Sequence, residues 1–112
     1  MDPSAADRTH LAAKSWASGG RRLMQRGQEE AAKVSFQMAL DYERKALSIL
    51  LAYDLADASL ILDCYKFAAI YAFEAGEKEQ AILLLEAALL RDPPDVFRRE
   101  LLGLLRDVSE AL

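Results

Sequence analysis

The sequence predicts an all-α fold of about five helices, and three observations carry that prediction. Apolar residues recur at three- and four-residue spacing along most of the chain. No stretch shows the two-residue alternation of a strand. Only five glycines and three prolines interrupt 112 residues, so helices can run long between breaks. The length suits one domain built on one core.

Residues 1–6 (MDPSAA) are small and polar and are expected to be disordered. From Asp7, a candidate N-cap, Leu11, Ser15/Trp16, Gly19/Gly20 and Leu23 share one helical face, and Gly27 supplies a left-handed stop. Gly19 and Gly20 each cost a helix about 1 kcal/mol against alanine, which predicts that another backbone approaches there. From Gln28 to Ala75 there is neither Gly nor Pro. One helix over that span would be about 72 Å long, so a turn is expected in "AYDLADAS", residues 52–59. Asp54, Asp57 and Ser59 each offer an N-cap oxygen there. The alternative is a continuous helix exchanged between two chains.

Leu60, Cys64, Phe67/Ala68 and Tyr71 continue the pattern to Gly76. Ala81, Leu84/Leu85, Ala88 and Leu89 form the next face, which Asp92-Pro93-Pro94 ends. Asp95 then caps a last helix with Phe97, Leu101, Leu104/Leu105 and Val108 inward and Arg98, Arg99, Arg106 and Glu110 outward.

Two of these helix pairs are versions of each other. "WASGGRRLMQRGQEEAAKVSFQMA" from Trp16 and "YKFAAIYAFEAGEKEQAILLLEAA" from Tyr65 align at a single offset of 49. An aromatic residue (Trp16, Tyr65) is followed by a small one (Gly20, Ala69), a glycine (Gly27, Gly76) and an alanine (Ala32, Ala81). A bulky apolar residue (Phe36, Leu85) and another alanine (Ala39, Ala88) complete each copy. Small residues at these positions let two antiparallel helices close on each other, with Trp16/Phe36 and Tyr65/Leu85 expected to fill the space beside them.

The pattern resembles the tetratricopeptide repeat, whose signature is W-x₂-L-G-x₂-Y, then A-x₃-F, then P. Trp16, Gly20, Ala32 and Phe36 match it, as do Ala81 and Pro93, while Gly19 and Leu23 replace its Leu and Tyr. The resemblance implies a short right-handed superhelix, with repeat 1 at 13–46, repeat 2 at 62–95, and residues 95–112 as a capping helix. Family repeats follow at 34 residues. The extra residues here, about four helical turns, are expected to lengthen both helices beside the turn and project "KALSILLAYDL" as a tip. Leu47, Leu50, Leu51 and Leu55 on that tip are a candidate contact surface, and a homodimer joined there is one expectation.

In that family the first helix of each repeat lines a groove that holds a peptide. Carried over by position, the groove presents Lys14, Ser18, Arg21, Met24 and Gln25, then Asp63, Lys66, Phe67, Ile70, Phe73 and Glu74. The competing reading makes Phe67, Ile70 and Phe73 ordinary core, and Lys14, Arg21 and Lys66 a solvated face. Ala17 and Arg21 stand where some members carry the Lys and Asn that clamp a terminal carboxylate, so that chaperone-docking activity is not expected.

The remaining chemistry is sparse. A net charge of −4 argues against nonspecific nucleic-acid binding, although residues 1–26 hold five basic and two acidic side chains. His10 is the only histidine and is read as an exposed imidazole near the start. Cys64, the only cysteine, is read as a buried inert thiol and makes a reducing, cytoplasmic setting the expectation. Glu29/Glu30 and Glu77/Glu79 occupy first helical turns, where they favour the helix dipole. With no metal-ligand spacing, no phosphate loop, no signal peptide and no membrane span, the expected function is non-catalytic. The chain would bind another protein or peptide as an adaptor, assembly factor or chaperone, with no cofactor. A small helical enzyme or ligand carrier is the remaining alternative.

Overall fold

The computed structural model of the protein describes residues 4–53 and 57–111. These form five helices: α1 (Ser4–Gln25), α2 (Glu29–Leu51), α3 (Ala58–Glu74), α4 (Lys78–Leu89) and α5 (Asp95–Glu110). There is no strand among the described residues, and no helix is long and apolar enough to cross a membrane. Each helix packs chiefly on the next in the chain. The shortest dimension of the molecule, 20 Å, equals about two helix diameters.

The two glycine turns repeat in backbone detail. At the first, Gln28 N–H donates to Leu23 O (2.9 Å) and Gly27 N–H to Met24 O (3.0 Å). At the second, Glu77 N–H donates to Ala72 O (2.8 Å) and Gly76 N–H to Phe73 O (3.0 Å). Both are Schellman closures, which satisfy carbonyls that the helix end would otherwise orphan. Gly27 and Gly76 take φ of +74° and +86°, the left-handed conformation this closure requires. The offset of 49 read in the sequence therefore relates two hairpins with the same hydrogen bonds.

The core follows the same register. Ala32, Ala39, Ala81 and Ala88 are fully buried, with Phe36 and Leu85 in equivalent places and Ala13, Ala17, Ala69, Tyr71, Ala72 and Leu101 around them. Two sequence expectations need correction. Trp16 does not fill the hairpin; it is 40% exposed, and Phe36 does the filling. Nor is it a backbone that crowds the glycine pair; at both positions the nearest neighbour is a side chain. A Cβ on Gly20 would lie 2.9–3.1 Å from the Phe36 ring, whereas one on Gly19 would meet only the end of Arg22 at 3.9 Å. Gly19→Ala is accordingly expected to stabilise by up to about 1 kcal/mol. Gly20→Ala is expected to lose about 1 kcal/mol net, overpacking outweighing propensity. Urea midpoints that moved in the same direction for both would contradict this contact.

A second cluster closes the far end of the first hairpin. Ala6 from α1, Ala46, Leu47, Ile49 and Leu50 from α2, and Ile61 and Cys64 from α3 pack together there. It corrects two more expectations. α1 starts at Ser4 rather than Asp7, and Ala6, expected to be disordered, is 2% exposed. Leu47 and Leu50, expected on a projecting tip, are core residues at 7% and 8% exposure. Of the tip residues, Leu51 remains 46% exposed, while Leu55 and Asp54 lie outside the described residues. The added length sits mainly in α2, of 23 residues against 12 in α4, rather than equally on both sides of the turn. The early residues of α1 extend alongside to cover it.

The expected turn lies between α2 and α3. Asp57 is the N-cap of α3, its carboxylate accepting from Ser59 N–H (2.8 Å) and the Ser59 hydroxyl (2.7 Å). Those bonds hold its carboxyl below the usual range, the hydroxyl contributing most. α4 ends near Asp92, a non-glycine residue at φ 53°. Its carboxylate pairs with Arg98 across the two prolines and ties the start of α5 back.

Candidate functional site

Two places on the molecule concentrate chemistry. One is a face to which α1, α3 and α5 all contribute. Phe67 of α3 is half-buried, with the Lys14 ammonium of α1 5.7 Å from its ring centre and that of Lys66 at 5.0 Å. Lys66 also lies 5.4 Å from the ring centre of Phe97 on α5 and bonds the Glu100 carboxylate at 2.9 Å. Each cation–π contact at such a surface contributes about 0.5–1 kcal/mol. Together they join three helices side by side.

Next along α3 and α5 is an open cavity of about 240 Å³, lined by Ala69, Ile70, Phe73, Glu74, Leu85, Leu104, Asp107 and Val108. Ile70, Phe73 and Glu74, proposed from the sequence as groove residues, thus share one depression, with Phe73 38% exposed. Phe67 instead packs against the core, tilted on Tyr71 at 6.1 Å. On α1, Lys14, Ser18, Arg21 and Gln25 follow one another at three- and four-residue spacing and are exposed, as is Met24 at 46%. Among the described residues neither Lys14 nor Arg21 makes an ion pair, whereas Lys66 is committed to Glu100. Lys66 is therefore less available to a partner than the sequence suggested. Asp63 faces elsewhere, lining a small cavity with His10 and Cys64.

The second place was missed by the sequence reading. His10 is not a free surface imidazole. Its Nδ1 lies 2.6 Å and 2.8 Å from the two oxygens of Glu43, and with Nδ1 protonated the ring donates to that carboxylate. The His10 ring also meets Phe67 edge-on at 5.6 Å. Glu43 is wholly buried on α2, while the His10 side chain keeps 26% exposure. Burial pushes the Glu43 carboxyl above its ordinary range, an effect that the hydrogen bond and charge of His10 offset only in part. Cys64 of α3 stands beside them, and burial, then Glu43, Asp63 and Asp7, push its thiol up to about 12. Such a thiol stays protonated and is a poor nucleophile. Burial and Glu43 likewise raise the Tyr71 hydroxyl to about 12.

A sequence signal for this cluster did exist. Glu43 sits in the inward stripe of α2 between Phe36, Ala39, Leu40, Ala46 and Leu47. A carboxylate in an apolar stripe requires a partner.

Comparison of the chain with protein-family models, with curated proteins and with solved structures finds no match.

Proposed function

We propose that the chain is a tetratricopeptide-like interaction module that captures an acidic, partly apolar segment of another protein on the face shared by α1, α3 and α5. The observation that carries this reading is that Lys14 and Arg21, exposed on α1 and without an ion pair among the described residues, stand against α3 at Phe67 and Tyr71, next to the turn whose Ile70 and Phe73 line the open cavity. A carboxylate of the guest would pair with Lys14 or Arg21 while an aliphatic or aromatic side chain enters the cavity. The module performs no chemistry and needs only a preformed surface. In keeping with family geometry, the two hairpins would stack as a right-handed superhelix with α5 as its cap. Self-association through the tip loses support, because Leu47 and Leu50 are already covered by the chain itself.

The test is a selection of peptides from a random display library on the immobilised protein. Enriched sequences should combine acidic and apolar residues. The double variant Lys14→Glu/Arg21→Glu should bind them at least about tenfold more weakly, since like charges now face each other. Its helical circular dichroism should not change. Equal binding by the double variant would remove the face from consideration, whatever the fold.

A further inference from the structure

The side chains of His10, Glu43 and Cys64 come from three different helices, and their donor atoms all lie within 4.8 Å of one another. We propose that these three residues form a binding site for a divalent transition metal of the zinc type. Imidazole and thiolate are the borderline and soft donors that select zinc over magnesium or calcium, and a carboxylate is a common third ligand beside them. A three-residue set leaves the fourth tetrahedral position to water or to a nearby carboxylate. A cavity of about 50 Å³ adjoins the set, lined by Asp7, His10, Leu50, Leu60, Asp63 and Cys64, so two further carboxylates border it.

The electrostatics favour a cation there. Glu43 and the Cys64 thiol are buried with Asp63 acting on both and Asp7 on the thiol, against His10 and the more distant Lys14. Without an ion, burial first and the neighbouring carboxylates second keep the thiol protonated and raise the Glu43 carboxyl. A divalent ion reverses the balance and stabilises the thiolate directly.

Two tetrahedral N and O ligands of one zinc stand about 3.3 Å apart. The 2.6 Å bond between His10 and Glu43 must therefore open slightly while Cys64 closes in, motions that side-chain rotation supplies. The proton between Nδ1 and the carboxylate moves to Nε2 or, from an imidazolium, to solvent. The thiol proton leaves to solvent, so uptake of the ion acidifies the medium.

Cobalt(II) titration of the reduced full chain tests the site. The expected result is one equivalent bound with a thiolate-to-cobalt charge-transfer band in the near ultraviolet, displaced by zinc. Zinc alone should raise the thermal midpoint. Cys64→Ala should abolish the band, and His10→Gln should weaken binding by about 100-fold while the metal-free variant remains helical. Should Cys64→Ala not fold, His10→Gln at the partly exposed ligand decides alone. Absence of the charge-transfer band, or unchanged affinity in His10→Gln, overturns the proposal and reassigns any bound ion to the acidic surface.

Discussion

Phe36→Ala should lower the stability of the protein by about 3–5 kcal/mol. The ring is 1% exposed and fills the space over Gly20, where a methyl group would be only 2.9 Å from it. Truncation leaves a void beside Gly20, in a core where Ala13, Ala17, Ala32 and Ala39 offer little side chain with which to collapse inward. A domain of this size has about 5–15 kcal/mol to lose, so the effect should consume a large part of the margin. Urea unfolding checks it: the midpoint should drop while the slope stays unchanged. The same experiment contains a sharper comparison. With the ring gone, Gly20→Ala should change sign and become stabilising, because only its helix propensity remains. A loss below about 1 kcal/mol for Phe36→Ala would mean that the hairpin is not closed by this contact.

The second large effect is expected at His10. Removing one member of a buried pair strands the other, and His10→Ala leaves Glu43 wholly buried without its hydrogen-bond partner. The expected cost at neutral pH is about 3 kcal/mol, the lower end for such losses because the imidazole itself is partly solvated.

The pH dependence identifies the cause. The folded-state pKa of Glu43 is raised above 4.5, so between 4.5 and that folded value the folded chain binds more protons than the unfolded one. Its contribution to stability is therefore largest below 4.5 and falls as pH rises through the folded pKa. Losing His10 widens that window. The deficit of His10→Ala should shrink as pH is lowered toward 4.5, and adding Glu43→Leu should remove most of it at neutral pH. A deficit that neither acid nor the second substitution relieves would point to lost packing against Phe67 instead.

Much of the fold was legible in the sequence because its signals are local. Apolar spacing marks helices, Gly27 and Gly76 mark their ends, and Asp57 offers a cap oxygen two residues before its acceptor-seeking N–H at Ser59. The internal match at 49 residues located both hairpins, since close helix contact demands small residues at fixed positions.

What escaped depends on which segments lie across from one another. Periodicity placed Leu47 and Leu50 on one face of α2, but not the early turns of α1 and the start of α3 that cover it. For the same reason Ser4–Ala6 looked too polar to be ordered, and His10 looked solitary although Glu43 waited on the neighbouring helix. The groove residues divided similarly. Ile70, Phe73 and Glu74 converge on one cavity, whereas the pairing of Lys66 with Glu100 links α3 to α5 and leaves no trace in either helix alone.

That each helix leans chiefly on its sequence neighbour also bears on how quickly the chain finds its shape. Short closures carry little entropic penalty, and proteins assembled this way fold within about milliseconds or faster.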